Sequence, residues 1–165
     1  EIIFTSELKG IVKGPAMEIA LSCNYIKANE DTIIQLDNEY LGIMPILGTA
    51  QRLARLIGYK DTLQAFLIEK KLTFDEALRL KLFNNETDNL VKVKNNLFFW
   101  DQSFTNTFIF YNTKIHSIYK NEKPDYNALL STVFESSVCK YSAGLDIEKR
   151  WLKWLIRQKL KNVRS

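Results

Sequence analysis

Few side chains in this 165-residue sequence are placed where acid–base or covalent chemistry could use them. Glu18 comes first, as the one acidic residue in the run Gly14-Pro15-Ala16-Met17-Glu18-Ile19-Ala20-Leu21. A glycine-proline turn after the short apolar run Ile11-Val12 suits the opening of a helix, because proline's fixed φ and missing N–H fit the first helical position. A carboxylate one turn into that helix has two roles open to it. It is a charge facing the positive end of the helix dipole, or a poised acid set in a dry pocket among small and apolar neighbours. Other reactive types are scarce. Cys23 and Cys139 lie far apart without metal-ligand spacing and read as free buried thiols in a reducing compartment. His116 is the only histidine, in a Lys- and Tyr-rich stretch, so a histidine-based metal cluster or a Ser/His/Asp triad is hard to build.

The elements that must position Glu18 follow from pattern. Glu1 to Leu8 is mixed and without period. Lys9 to Val12 reads as a buried strand and Gly14 to Leu21 as the helix. Asn24 to Ala28 alternates and Thr32 to Leu36 is β-branched and apolar, so both read as strands, with the turn signal Asn29-Glu30-Asp31 between them. Asp37 to Pro45 is a loop. A helix from Gly48-Thr49 carries Leu53, Leu56 and Ile57 on one face and Arg52 and Arg55 on the other, with Gly58 placed to end it. A second helix begins near Asp61. Thr73 and Glu76 form a capping box that opens a third, carrying Ala77, Leu78 and Leu80.

Asn84 to Asn96 is Asn/Lys-rich and reads as a boundary. Leu97 to Tyr111 is ambiguous between helix and strand. Glu122-Lys123-Pro124-Asp125 is a break, and a helical hairpin follows. Its first stripe is Leu129, Leu130, Val133 and Phe134; its second is Leu145, Trp151, Leu152, Leu155 and Ile156, with Gly144 between them. Arg150, Lys153, Arg157 and Lys159 line the solvent side, and Trp151 and Trp154 read as packing residues. The expected fold class is therefore α/β, short strands followed by helices, ending in a helical hairpin. It divides into 1–90, a connecting segment 91–125, and the hairpin 126–165.

Composition narrows the function classes. Hydrophobic residues make up 46% and charged residues 25%, with a formal charge of +4, which describes a globular chain without the strong basic excess of a nucleic-acid binder. No apolar run approaches the roughly 20 residues that span a bilayer, so no membrane span is expected. Glu1-Ile2-Ile3-Phe4 lacks the features of a secretory signal, and the expected location is cytoplasmic. The chain does not begin with Met, which makes an upstream start an expectation.

Three segments carry a resemblance: GPAMEIALSCNYIKANEDT, LDNEYLGIMPILGTAQRLARLIG and KKLTFDEALRLKLFN. In this order and spacing they resemble the enoyl-CoA hydratase/isomerase (crotonase) superfamily, over about half the chain from Leu8 to Asn84. The hairpin, YNALLSTVFESSVCKYSAGLDIEKRWLKWLIRQKLKNVRS, is similar to the linker after the hydratase module of bifunctional β-oxidation proteins, through Gly144-Leu145, Glu148, Trp151 and Arg164-Ser165. No GxGxxG follows, so nothing argues for NAD.

The resemblance implies a partial crotonase-like fold, the C-terminal part of a hydratase module, that adds water to an enoyl-CoA thioester or shifts its double bond. The partner is an acyl-CoA thioester, with no cofactor beyond the coenzyme A that the substrate carries. Such chemistry needs donors for the thioester oxygen and carboxylates to move protons. Glu18 falls on the first catalytic glutamate. The second falls on Asn38, with Glu39 beside it; an amide holds a water but cannot exchange its proton, although some isomerases of the superfamily work with one carboxylate. Gly14, Pro15 and Ala16 fall on the oxyanion turn, where Pro15 has no N–H and Ala16 is a shifted donor. Leu41, Pro45 and Leu47 fall on the loop that walls the acyl pocket. The first part of the module, with the other donor and the adenine-binding segment, is expected from upstream sequence, a complementary chain or a homo-oligomer. The other readings are a catalytically inactive remnant serving as an interaction module, and an unrelated α/β domain.

Overall fold

A computed structural model describes residues 2–36, 43–69, 71–83, 101–120 and 122–164, the last three as backbone only. The chain is mixed α/β, as expected, with short strands followed by helices. Among the described residues, five strands make two small sheets. In one, β1 (Thr5–Leu8) pairs parallel with β3 (Tyr25–Ala28). In the other, β4 (Ile33–Gln35) lies between β2 (Ile11–Lys13), parallel, and β5 (Lys71–Thr73), antiparallel. Strand β1 was not expected: only Leu8 of its four residues is buried, so the segment shows no apolar alternation and is held by pairing with β3.

Helix α1 (Pro15–Ala20) begins where the Gly-Pro turn predicts, with Pro15 at its first position and Gly14 at φ 52° as the residue before it. Met17, Glu18 and Ala20 face the interior. Helix α2 (Thr49–Ile57) ends at Gly58, φ 90°. Its buried face is Ala50, Leu53 and Ala54, with Leu56 and Ile57 only half-buried. Arg55, expected opposite the apolar face, is itself buried. Its guanidinium donates to the carbonyls of Ser136 (3.1 Å) and Cys139 (3.0 Å), satisfying acceptors that the end of a helix leaves open. Helix α3 (Tyr59–Gln64) runs into a wider π turn, Ala65–Glu69. The Thr73 capping box opens α4 (Phe74–Arg79), whose inner face is Ala77 while Leu78 is exposed.

The ambiguous stretch resolves as a helix, α5 (Gln102–Tyr119), capped by Asp101 accepting from Phe104 N–H at 2.7 Å; residues 84–100 lie outside the described ones. His116 is exposed on α5, and both cysteines are free and half-buried. The hairpin is α6 (Pro124–Ser137) and α7 (Tyr141–Arg164). Leu129, Leu130, Val133 and Phe134 are all buried, whereas of the second stripe only Leu155 is fully so and Ile156 is exposed. Gly144 is not the turn. It lies inside α7, buried, where a β-carbon would stand 1.8 Å from Gln51 Oε1, so it is the point at which α7 crosses α2. Trp151 donates to Glu135 (3.0 Å) and stacks edge-on against Trp154, a packing role for both. Arg150, Lys153, Arg157 and Lys159 are exposed. One core runs from Leu8 to Leu155 through sheets and hairpin alike. Among the described residues, no helix is long and apolar enough to cross a membrane.

Candidate functional site

Glu18 is placed by α1. Its own N–H donates to Gly14 O (3.1 Å), which sets it one turn inside the helix, and its side chain is 4% exposed. The carboxylate turns toward the segment Pro45–Thr49, where Oε1 accepts from the Ile46 N–H at 3.1 Å. That segment is a tight turn. Thr49 N–H donates to Ile46 O (3.1 Å), and both central residues have positive φ, Leu47 at 58° and Gly48 at 77°. Positive φ at both positions is the signature of a type I′ turn. Glycine accepts it freely; leucine does so at a steric cost.

A narrow crevice of about 190 Å³ opens beside the Glu18 carboxylate, with Gly14, Met17, Pro45, Thr49 and Phe66 among its walls. About 10 Å³ of it can take the centre of a water molecule, room for roughly one. A second hollow of about 250 Å³ shares Leu36, Pro45 and Phe66 with it and is otherwise lined mainly by apolar side chains, Met44, Tyr126 and Leu129 among them. A buried carboxylate thus stands beside a hollow of mainly apolar lining, and such a carboxylate can move a proton on a group brought against it.

The structure brings together Glu18, Gly14 and Pro45 from the sequence-derived set. Pro15 and Ala16 sit at the exposed start of α1, and Pro15, as proline, has no N–H to offer there. Leu47 is 55% exposed at the tip of the turn and is not among the crevice walls. Asn38, Glu39 and Leu41 lie outside the described residues. No group of three or more His, Cys, Asp or Glu side chains among the described residues could hold a metal ion.

Sequence reasoning named Glu148 only within the hairpin's resemblance and did not place it at the site. Glu148, on α7, is 5% exposed, and its Oε1 accepts from the Gly48 N–H at 2.8 Å. Burial pushes its carboxyl up to about 7; the Gly48 hydrogen bond opposes that, the Glu18 carboxylate adds to it, and Arg52 opposes it. The signal was present in the sequence. Leu145, Glu148, Leu152 and Leu155 recur at steps of three and four, which puts a carboxylate in the apolar stripe of its helix.

No protein-family model matches the chain. Among curated proteins it is similar to the peroxisomal bifunctional enzyme of Danio rerio, 33% identical over 81 residues, a match spanning 49% of this chain and 11% of that protein. Among solved structures it is similar to a putative enoyl-CoA hydratase from Thermobifida fusca in complex with acetoacetyl-CoA, with 14% identity, a TM-score of 0.48, and coverage of 95% of this chain and 56% of that one. An enoyl-CoA hydratase from Thermoplasma volcanium gives 22% identity and a TM-score of 0.45, covering 93% of this chain and 54% of that one. The chain therefore spans little more than half the length of these solved structures, and its match a small part of the curated relative. Its structural neighbours are enoyl-CoA hydratases, and the curated protein it matches is a peroxisomal bifunctional enzyme.

Proposed function

We propose that this chain is part of an enoyl-CoA hydratase/isomerase-like protein of fatty-acid β-oxidation, acting on an acyl-CoA thioester with no cofactor of its own. The observation that carries the reading is the buried Glu18 carboxylate, held by the Ile46 N–H at the mouth of a water-sized crevice beside an apolar hollow. In this reading Glu18 is the acid/base that moves a proton at the α-carbon or the attacking water, Asn38 or Glu39 orients that water, and the apolar hollow takes the start of the acyl chain. The Ala16 N–H serves the thioester oxygen, and its partner donor comes from a preceding segment, a complementary chain or a second copy.

Hydration of crotonyl-CoA tests this directly. With the segment that carries the partner donor supplied, turnover is expected in the wild type and a drop of about 10²–10⁴-fold in Glu18→Gln, which keeps the shape and removes the proton exchange; the chain by itself is expected to be impaired. Turnover equal in the two proteins would reject Glu18 as the working acid. A specific observation favours a second reading, a non-catalytic interaction module. Pro15 removes the backbone donor at the position where the resemblance puts an oxyanion N–H. For that reading the expected result is no turnover together with tight binding to another polypeptide.

A further inference from the structure

We propose that Glu148 is a positioning residue for Glu18: by holding the Gly48 N–H it fixes the turn whose Ile46 N–H grips the Glu18 carboxylate. The inference rests on Glu18 being the working acid, as proposed above. Two carboxylates from two different helices, α1 and α7, thus take two amides of one four-residue turn, at 3.1 and 2.8 Å. The turn needs outside support, since Leu47 sits at φ 58° without the excuse of being glycine, and such a conformation persists only where its surroundings over-determine it.

Helix α7 supplies that support at close range. A β-carbon on Gly48 would stand 2.5 Å from Tyr141 Oη and 3.0 Å from Leu145 Cδ2, so Tyr141, Leu145 and Glu148 form a continuous face laid on the turn. Glu148 does not line the crevice; its hydrogen bond to the site runs through Gly48, and its charge also meets that of Glu18. Its second oxygen, Oε2, is buried and has no hydrogen-bond partner among the described residues. An ionisable group is an unfavourable choice there unless its charge is used.

The groups facing Glu148 define how that charge behaves. Glu18 faces it from α1 and Arg52 from α2, with Tyr141 and Lys149 on α7 itself. Its proton is exchanged near neutrality. Ionisation strengthens the hold on Gly48, because a charged acceptor makes the stronger hydrogen bond. It also places a like charge near Glu18. The turn passes both effects to Ile46.

Amide resonances of the full chain, labelled with 15N-glycine and 15N-isoleucine and followed from pH 5 to 9, test this without any substrate. The Gly48 and Ile46 resonances are expected to titrate together with a midpoint near 7. In Glu148→Gln both should be flat, and in Glu18→Gln the Gly48 midpoint should fall, because the charge that raises it is gone. A Gly48 titration that leaves Ile46 unmoved overturns the proposal, as does a Gly48 resonance that does not respond. The wild-type titration needs no variant to fold. Crotonyl-CoA turnover on the same samples separates the two readings. In Glu148→Gln, kcat is expected to fall about ten- to a hundredfold with KM little changed, and the pH–rate profile near 7 to flatten. Linked titration without turnover supports the positioning and rejects the enzyme reading. Turnover with unlinked resonances rejects the positioning alone.

Discussion

Two glycines separate backbone strain from close approach. Gly48 and Gly58 flank α2, both with positive φ, 77° and 90°. A β-carbon on Gly58 meets nothing within 4 Å, whereas one on Gly48 meets Tyr141 Oη at 2.5 Å. Gly58→Ala should therefore cost only its backbone strain, about 1–3 kcal/mol, because φ 90° with ψ 158° is a region that essentially glycine alone adopts. Gly48→Ala should cost the left-handed penalty of about 1–2 kcal/mol and about 1–3 kcal/mol of overpacking besides, because the half-buried Tyr141 ring must also move. Denaturant midpoints of the two variants check this, and a Gly48→Ala loss no larger than the left-handed penalty would mean that α7 does not press on the turn. At this scale Glu18 was legible in the sequence, since Gly14-Pro15 announces a helix start and the carboxylate stands alone among apolar neighbours. Glu148 was harder to see. It sits beside Asp146 and Lys149 in a charge-rich helix, and only its step from Leu145 and Leu152 shows that it points inward.

Short elements here are held by caps and pairing more than by length. Helix α4 has six residues, too few to persist alone, and its Thr73 side chain accepts from the Glu76 N–H while Glu76 reaches back to the Thr73 N–H at 2.8 Å. Thr73→Ala should cost about 1 kcal/mol, read as a lower denaturant midpoint, with part of the loss recovered in Thr73→Ser. A neutral Thr73→Ala would mean that packing of Ala77 alone holds α4. The capping box, the Pro15 helix start and the α6 stripe were all legible, because each is a local rule acting within a few residues; Pro124, read as a break, is the first residue of α6. The start of α7 was not. Gly144 looks like a turn from composition, yet it is a contact glycine inside a helix, and only the crossing with Gln51 of α2, distant in sequence, gives it that role. Strand β1 escaped for a similar reason, since its stability comes from β3 rather than from its own pattern.

Across the whole molecule, the buried Glu148 makes a signed prediction for stability against pH. Its carboxyl is raised from the usual 4.5 to about 7 in the folded chain. Between those values the folded state holds a proton that the unfolded chain has lost, so stability falls as pH rises from about 4.5 and levels off above about 7. The size is on the order of 3 kcal/mol. Glu148→Gln removes this dependence. It should match the wild type near pH 5 and exceed it at pH 8, as urea denaturation at the two pH values would show. The only histidine is exposed on α5, so no buried imidazole competes for this window. Parallel pH profiles for wild type and variant would mean that Glu148 is solvated and that α7 does not close over the turn. A gain in stability at pH 8 would show instead that the chain carries a destabilising charge where the hairpin meets the segment that grips Glu18. A charge kept there against stability is what a site-positioning role requires.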